Sequence, residues 1–234
     1  PPADGRRRMR EHGAPVPAPS ARRLRPSRPR HDGEMTQPPP WLKTAARNRA
    51  SRAGSSRPPR VLFICTGNIC RSAFAACYFG ASPATKDVDV VSAGTMAVVG
   101  HAIDGSFSGL AADLGLDARG HRARQLNGRI LKKADILIVF APEHHDWIFA
   151  NYPESADRVL ALGQTGAVLS YFPNHLIIPW WTLTETVMER RPLAQPSDWI
   201  SDPYGHGRQA ARRTARVITE NLDLLTSRVS WRNR

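Results

Sequence analysis

The stretch VLFICTGNICRS, Val61 to Ser72, constrains this chain more than any other part of it. Its four apolar residues, Val61-Leu62-Phe63-Ile64, predict a short buried strand. Ala73 to Gly80, rich in Ala and aromatics, predicts a helix directly after. The eight residues between, Cys65 to Ser72, must turn the chain sharply from one to the other. A strand that feeds a helix through so tight a loop is the opening unit of an α/β fold.

The loop's composition has a chemical use. A backbone that turns its N–H groups inward at a helix N-terminus forms a nest for an anion. Gly67 allows close backbone approach, and Asn68 is one of the few non-Gly residues that tolerates left-handed dihedrals. Arg71 offers a planar fork to two oxygens of a phosphate. Cys65 would lie beneath the bound anion as a nucleophile. The thiolate is the attacking species, and the inward dipoles, Arg71 and the Ser72 hydroxyl all favour charge on sulfur. Cys-x5-Arg alone is a short pattern that also suits a buried structural cysteine. The strand before, the Gly and Asn within and the helix after favour the nucleophile.

Downstream, strand and helix signals alternate. Val88 to Ala93 predicts a second strand, Phe107 to Leu116 a helix, and His121 to Lys133 a basic amphipathic helix. Ile136 to Phe140 is a continuous apolar run of the kind buried in parallel sheets. Pro142 suits the first turn of a helix ending near Asn151. Arg158 to Leu162 predicts a fourth strand, Thr182 to Arg190 a helix, and Gln209 to Arg228 a long closing helix. Gly163 to Ser197 has no overall assignment and is expected to act as a lid. The expected fold is one three-layer α/β domain over residues 59–234, with ligands at the carboxyl ends of the strands, where Cys65 falls.

Charge separates the first part of the chain from the rest. Of the 234 residues, 1–60 hold 15 basic and 4 acidic residues, so +11 of the net +13 lies there. That part also holds 12 of the 20 prolines and almost no apolar periodicity, so residues 1–58 are expected to be a disordered extension. It reads as an unselected stretch ahead of a start at Met35, with nucleic acid as a partner only through its basic charge. No apolar run follows its arginines as a secretory or twin-arginine signal would, and none approaches a membrane span. Three cysteines, one of them a candidate nucleophile, suit a reducing cytoplasm. No membrane partner, metal or cofactor is expected, and the sequence carries no signal for an oligomeric state.

Four motifs occurring in order, VLFICTGNICRS, VSAGT at Val91 to Thr95, GHRARQL at Gly120 to Leu126 and DPYG at Asp202 to Gly205, resemble the low-molecular-weight protein tyrosine phosphatase family. The resemblance runs from about Pro59 to Ser227. It implies a flavodoxin-like four-stranded parallel sheet and a metal-free, two-step hydrolysis of phosphomonoesters in phosphorylated proteins. It further implies Cys65 as nucleophile, Arg71 as phosphate clamp and Asp202 as general acid. The backbone of Thr66, Gly67, Asn68, Ile69, Cys70, Arg71 and Ser72 would be the cradle. Asn68 would hold the loop's turn through Ser72, Ser92 and His121. Tyr204 would line the mouth, with Val98 a small apolar wall where many members carry an aromatic residue. By itself Asp-Pro-Tyr-Gly is only a turn. DPYG without a second tyrosine resembles bacterial members.

Rival readings share parts of this pattern. Phosphoarginine phosphatases of the same fold tend to have Thr where this chain has Ile69, whose branched apolar surface favours a flat aryl group. A thioredoxin-coupled arsenate reductase needs a downstream cysteine pair, and beyond the loop only Cys77 remains. A non-catalytic phosphate-binding module would not need Cys65, Arg71 and Asp202 together. Cys70, five residues from Cys65, is expected to be able to bridge it after oxidation to the sulfenate. His144 and His145 sit on a predicted helix without metal-ligand spacing and are expected to be solvated. Trp180-Trp181 reads as core or lid.

Overall fold

The computed structural model describes residues 56–233. Nearly all of the expected extension, residues 1–55, lies outside the described residues. Strand β1, Arg60–Cys65, is buried from Val61 onward and runs through the middle of a four-stranded sheet. Its partners are β2, Asp89–Gly94, on one side and β3, Ile136–Val139, on the other. Strand β4, Val159–Ala161, closes the sheet beyond β3, giving the order β2-β1-β3-β4 with every pairing parallel.

A parallel sheet buries both faces, which is why these strands read as continuous apolar runs. Alternate residues of β1 serve different cores. Val61, Phe63 and Cys65 face one cluster with Phe74, Phe79, Phe107, Leu169, Trp180, Ile218 and Leu222. Leu62 and Ile64 face the other with Leu126, Leu131, Leu137 and Ile148. The first cluster is covered by α1 (Arg71–Ala81), α2 (Gly105–Asp113) and three later helices; the second by α3 (Gly128–Lys133) and α4 (Pro142–Asn151). The result is the expected three-layer α/β domain with a flavodoxin-like four-stranded parallel sheet.

Three expectations require correction. Residues 121–127 are extended, not helical, and only α3 at the end of that run is a helix, capped by Asn127. Ala123 and Leu126 are buried while Arg122 and Arg124 are exposed, and Gln125 bridges to Gly94. Pairing along the end of β2 thus outweighs the residues' helical tendency. The fourth strand stops at Ala161, and Leu162 opens helix α5, Leu162–Ser170.

The segment expected to be a lid is part of the core. Helix α5, the short strand β5 (Ile178–Pro179) and helix α6 (Leu183–Arg190) bury Leu169, Phe172, Trp180, Leu183 and Val187. Helix α7, Gly207–Arg228, packs over them with Ile218, Leu222 and Leu225, and β6 (Val229–Ser230) pairs with β5. Trp180 belongs to this core; Trp181 is half-buried.

Candidate active site

Strand β1 ends at Cys65 and α1 begins at Arg71, so the intervening loop lies at the carboxyl edge of the sheet, where ligands of open parallel sheets bind. The carbonyls of that loop are all accounted for. Cys65 O accepts from Thr95 N at 2.9 Å, Thr66 O from Met96 N at 3.0 Å and Gly67 O from Val98 N at 3.0 Å. Ile69 O accepts from Asp104 N at 2.8 Å and Cys70 O from Phe74 N at 2.9 Å. His121 Nε2 donates to Asn68 O at 2.7 Å. Every carbonyl from Cys65 to Cys70 is thus met from the outside. Among the described residues no side chain or carbonyl accepts from the N–H groups of Thr66 to Cys70. The ring has its acceptors turned out and its donors free, an arrangement suited to an anion.

Asn68 sets this geometry. It is the one non-glycine residue with positive φ among those described, at 55°. Its amide donates to Ser72 Oγ at 2.9 Å, and its Oδ1 accepts from Arg124 N at 2.9 Å. Ser72 Oγ lies 2.9 Å from Cys65 Sγ, so a run of polar contacts leads from the turn to the candidate nucleophile. Asn68 and Ser92 share no hydrogen bond; Ser92 is buried on β2 opposite Phe63. The extended 121–127 run is therefore what lets His121 and Arg124 reach the loop. Burial pushes the His121 imidazole below its ordinary range despite the bond to Asn68.

Arg71 is almost fully buried, and its guanidinium donates to Ile200 O at 3.1 Å. Its other terminal nitrogen pairs with Asp202 Oδ2 at 2.7 Å, while Nε has no partner. A carboxylate oxygen thus takes one arm of the guanidinium fork. Asp202 itself is half-exposed, and its Oδ1 accepts from Tyr204 N at 3.1 Å in a tight turn. Cys65, Arg71 and Ser72 of one loop and Asp202, far along the chain, meet at this edge.

The rim is apolar. Val98 lies over Gly67 at ordinary contact distance from where a side chain there would begin, and Ile69 flanks the same spot. Met96, Val98 and Tyr204 are exposed. Cys70 is buried, and desolvation first, then neighbouring carboxylates, push its thiol up to about 12. All three cysteines are free thiols.

Sequence reasoning missed two contributors. His144, expected to be solvated, is fully buried: the helix it opens turns inward, placing Nε2 3.0 Å from Thr66 Oγ1. Its position three residues after Ala141, ahead of a first-turn proline, was the available signal. His145 is half-exposed, as expected. Gly94 is the other. A side chain there would begin less than 3 Å from the Thr66 carbonyl, so only glycine lets the loop settle against β2.

Comparison with known proteins points to one family. The family model for low molecular weight phosphotyrosine protein phosphatase matches residues 60–167. A probable low molecular weight protein-tyrosine-phosphatase, EpsP, of Ralstonia solanacearum is 36% identical over 104 residues, covering 44% of this chain and 70% of that protein. A protein-arginine-phosphatase of Geobacillus stearothermophilus is 33% identical over 107 residues, covering 46% and 71%. The crystal structure of the tyrosine phosphatase Wzb from Escherichia coli K30, in complex with sulphate, aligns with a TM-score of 0.56 at 23% identity, covering 72% of this chain and 96% of that one, and so shares the fold.

Proposed function

The chain belongs to the low molecular weight phosphotyrosine protein phosphatase family, and from that premise we propose that it dephosphorylates phosphotyrosine in proteins through a cysteinyl-phosphate. The observation that carries this reading is the ring of outward carbonyls from Cys65 to Cys70, which leaves the amides of the loop beside Cys65 free to bind an anion.

In the first step the Cys65 thiolate attacks phosphorus in line, an S–P bond forms and the P–O bond to the phenol breaks. Asp202, protonated, gives its proton to the departing oxygen. This follows binding, in which the substrate's phosphate displaces the Asp202 carboxylate from Arg71, the freed carboxylate takes up a proton from solvent, and the guanidinium fork holds two equatorial oxygens alongside the loop amides. In the second step Asp202, now a carboxylate, takes a proton from water as its oxygen attacks phosphorus. The thiolate and inorganic phosphate are released. Cys65 has to stay reduced for this, which the reducing environment of a cytoplasm provides.

The rim supports tyrosine over arginine. Ile69 and Val98 offer apolar surface and no acceptor for the N–H groups of a guanidinium, and Tyr204 adds an exposed aromatic ring. Hydrolysis of an aryl phosphate by wild type, Cys65→Ser and Asp202→Ala tests the mechanism. Cys65→Ser should have no turnover, and Asp202→Ala should lose about 10²–10⁴-fold, most for poor leaving groups. Turnover that survives Cys65→Ser overturns the covalent route. Faster release of phosphate from phosphoarginine than from phosphotyrosine peptides would reassign the substrate.

A further inference from the structure

His144 has a contact that helix capping alone does not require. It is the third residue of α4, and its Nδ1 accepts the Ala141 N–H at 3.1 Å. That bond satisfies one orphan donor of the helix end, a service that Glu or Gln performs from the same position. Gln164 does so in α5, taking the Ala161 N–H at 3.2 Å. An imidazole is costlier to bury than to leave in water, so its second nitrogen needs a use. Because Nδ1 accepts, Nε2 carries the hydrogen, and it points at Thr66 Oγ1 3.0 Å away. Burial first, then the nearby Arg71 charge, hold this imidazole far below its ordinary range, at about 3, so it stays neutral and the tautomer stays fixed.

Thr66 directly follows Cys65, and two neighbours of β1 grip it from opposite sides. Its carbonyl is held from the β2 side by Met96 N at 3.0 Å. Its hydroxyl is held from the β3 side by His144, on the helix that follows β3. A peptide tethered at both the carbonyl and the side chain cannot rotate its N–H out of the cradle without breaking one bond. From this we infer that His144 is a positioning residue of the anion cradle: through the Thr66 hydroxyl it fixes the first amides of the loop beside the Cys65 sulfur. The inference rests on the phosphatase reading, and its contact is local to Thr66.

The test is a double-mutant cycle, Thr66→Val, His144→Ala and both together, read by the dissociation constant for inorganic phosphate and by kcat and KM for an aryl phosphate. Thr66→Val keeps the side chain's shape and removes only its hydroxyl, so it stands as a measurement even should His144→Ala fail to fold. Each single change should weaken phosphate binding and lower kcat/KM about tenfold, the scale of one buried hydrogen bond left unmade. The double variant should match the worse single one, because both break the same bond. Phosphate affinity within twofold of wild type in Thr66→Val overturns the proposal, as does a double variant whose loss is the product of the two. Wild type that neither binds phosphate nor turns over would instead overturn the phosphatase reading, whereas an intact wild type with an indifferent Thr66→Val removes only the tether.

Discussion

At the scale of single residues, Asn68 shows how one side chain fixes a loop. Its left-handed backbone, φ 55°, would cost most residues about 1 kcal/mol, and its amide is spent on Ser72 and on Arg124 N. Asn68→Gly keeps the dihedral free and loses both bonds; Asn68→Ala loses both and adds the strain. We expect both variants to lower kcat/KM by about tenfold or more, with Asn68→Ala less stable than Asn68→Gly by about 1 kcal/mol in urea unfolding. Equal stabilities would mean that the turn is not strained. Asn68 was legible in the sequence because its residue type has few uses inside a strand–loop–helix. His144 was not, because a histidine on a polar-looking helix gives no sign of which side the helix turns to the core. Gly94 was legible only as part of a motif, since the atom it avoids, the Thr66 carbonyl, lies 28 positions away in the chain.

At the scale of elements, the four strands announced themselves through apolar runs, and helices α1, α4, α6 and α7 through their spacing and Pro142. Helix α5 did not, because Leu162–Ser170 holds two glycines, which weaken a helix in isolation. Packing explains them. A side chain at Gly163 would begin less than 3 Å from the Asp198 carbonyl, and one at Gly166 would strike Asn221 of α7. Residues that lower helix propensity thus permit the close approach that makes the helix worth forming. That approach matters for the site: Asp198 is buried, takes a two-pronged bond from Arg191 at 2.7 and 2.9 Å, and accepts from Gln195 N at 2.6 Å. Two residues on, Ile200 N donates to Phe140 O at 2.7 Å while Ile200 O receives Arg71. The segment leading to Asp202 is therefore anchored by the elements that sequence reading left as a lid. Asp198→Ala should cost about 1–3 kcal/mol of stability, and should raise KM for an aryl phosphate several-fold as the Ile200 carbonyl loosens its hold on Arg71. A stability loss with KM unchanged would show that Arg71 keeps its place without this anchor.

At the scale of the whole molecule, two histidines on opposite sides of the loop are held neutral, and this gives folding a pH dependence of definite sign. His144 titrates at about 3 in the folded chain, mainly because it is buried, against an ordinary value of 6.5 when unfolded; His121 is lowered in the same sense. Between those values the unfolded chain binds more protons than the folded one. Stability must then fall as pH falls, being fully present above 6.5 and lost on the way down towards 3. Each group that discriminates fully contributes up to about 1.4 kcal/mol per pH unit, so His144 alone should remove on the order of 2 kcal/mol between pH 6.5 and 4.5. Carboxylates begin to titrate at the lower end of that window, and a variant without the imidazole separates their share from that of His144. The measurement is the urea midpoint at constant ionic strength across the window, for wild type and for His144→Gln, whose amide can take the Ala141 N–H and does not titrate. Wild type should lose stability steadily, and His144→Gln should show a distinctly shallower slope whatever its absolute stability. A wild-type midpoint that stays level from pH 6.5 to 4.5 would mean that His144 is protonated in the folded state, and the Nδ1 acceptor that takes the Ala141 N–H and fixes the tautomer would be lost.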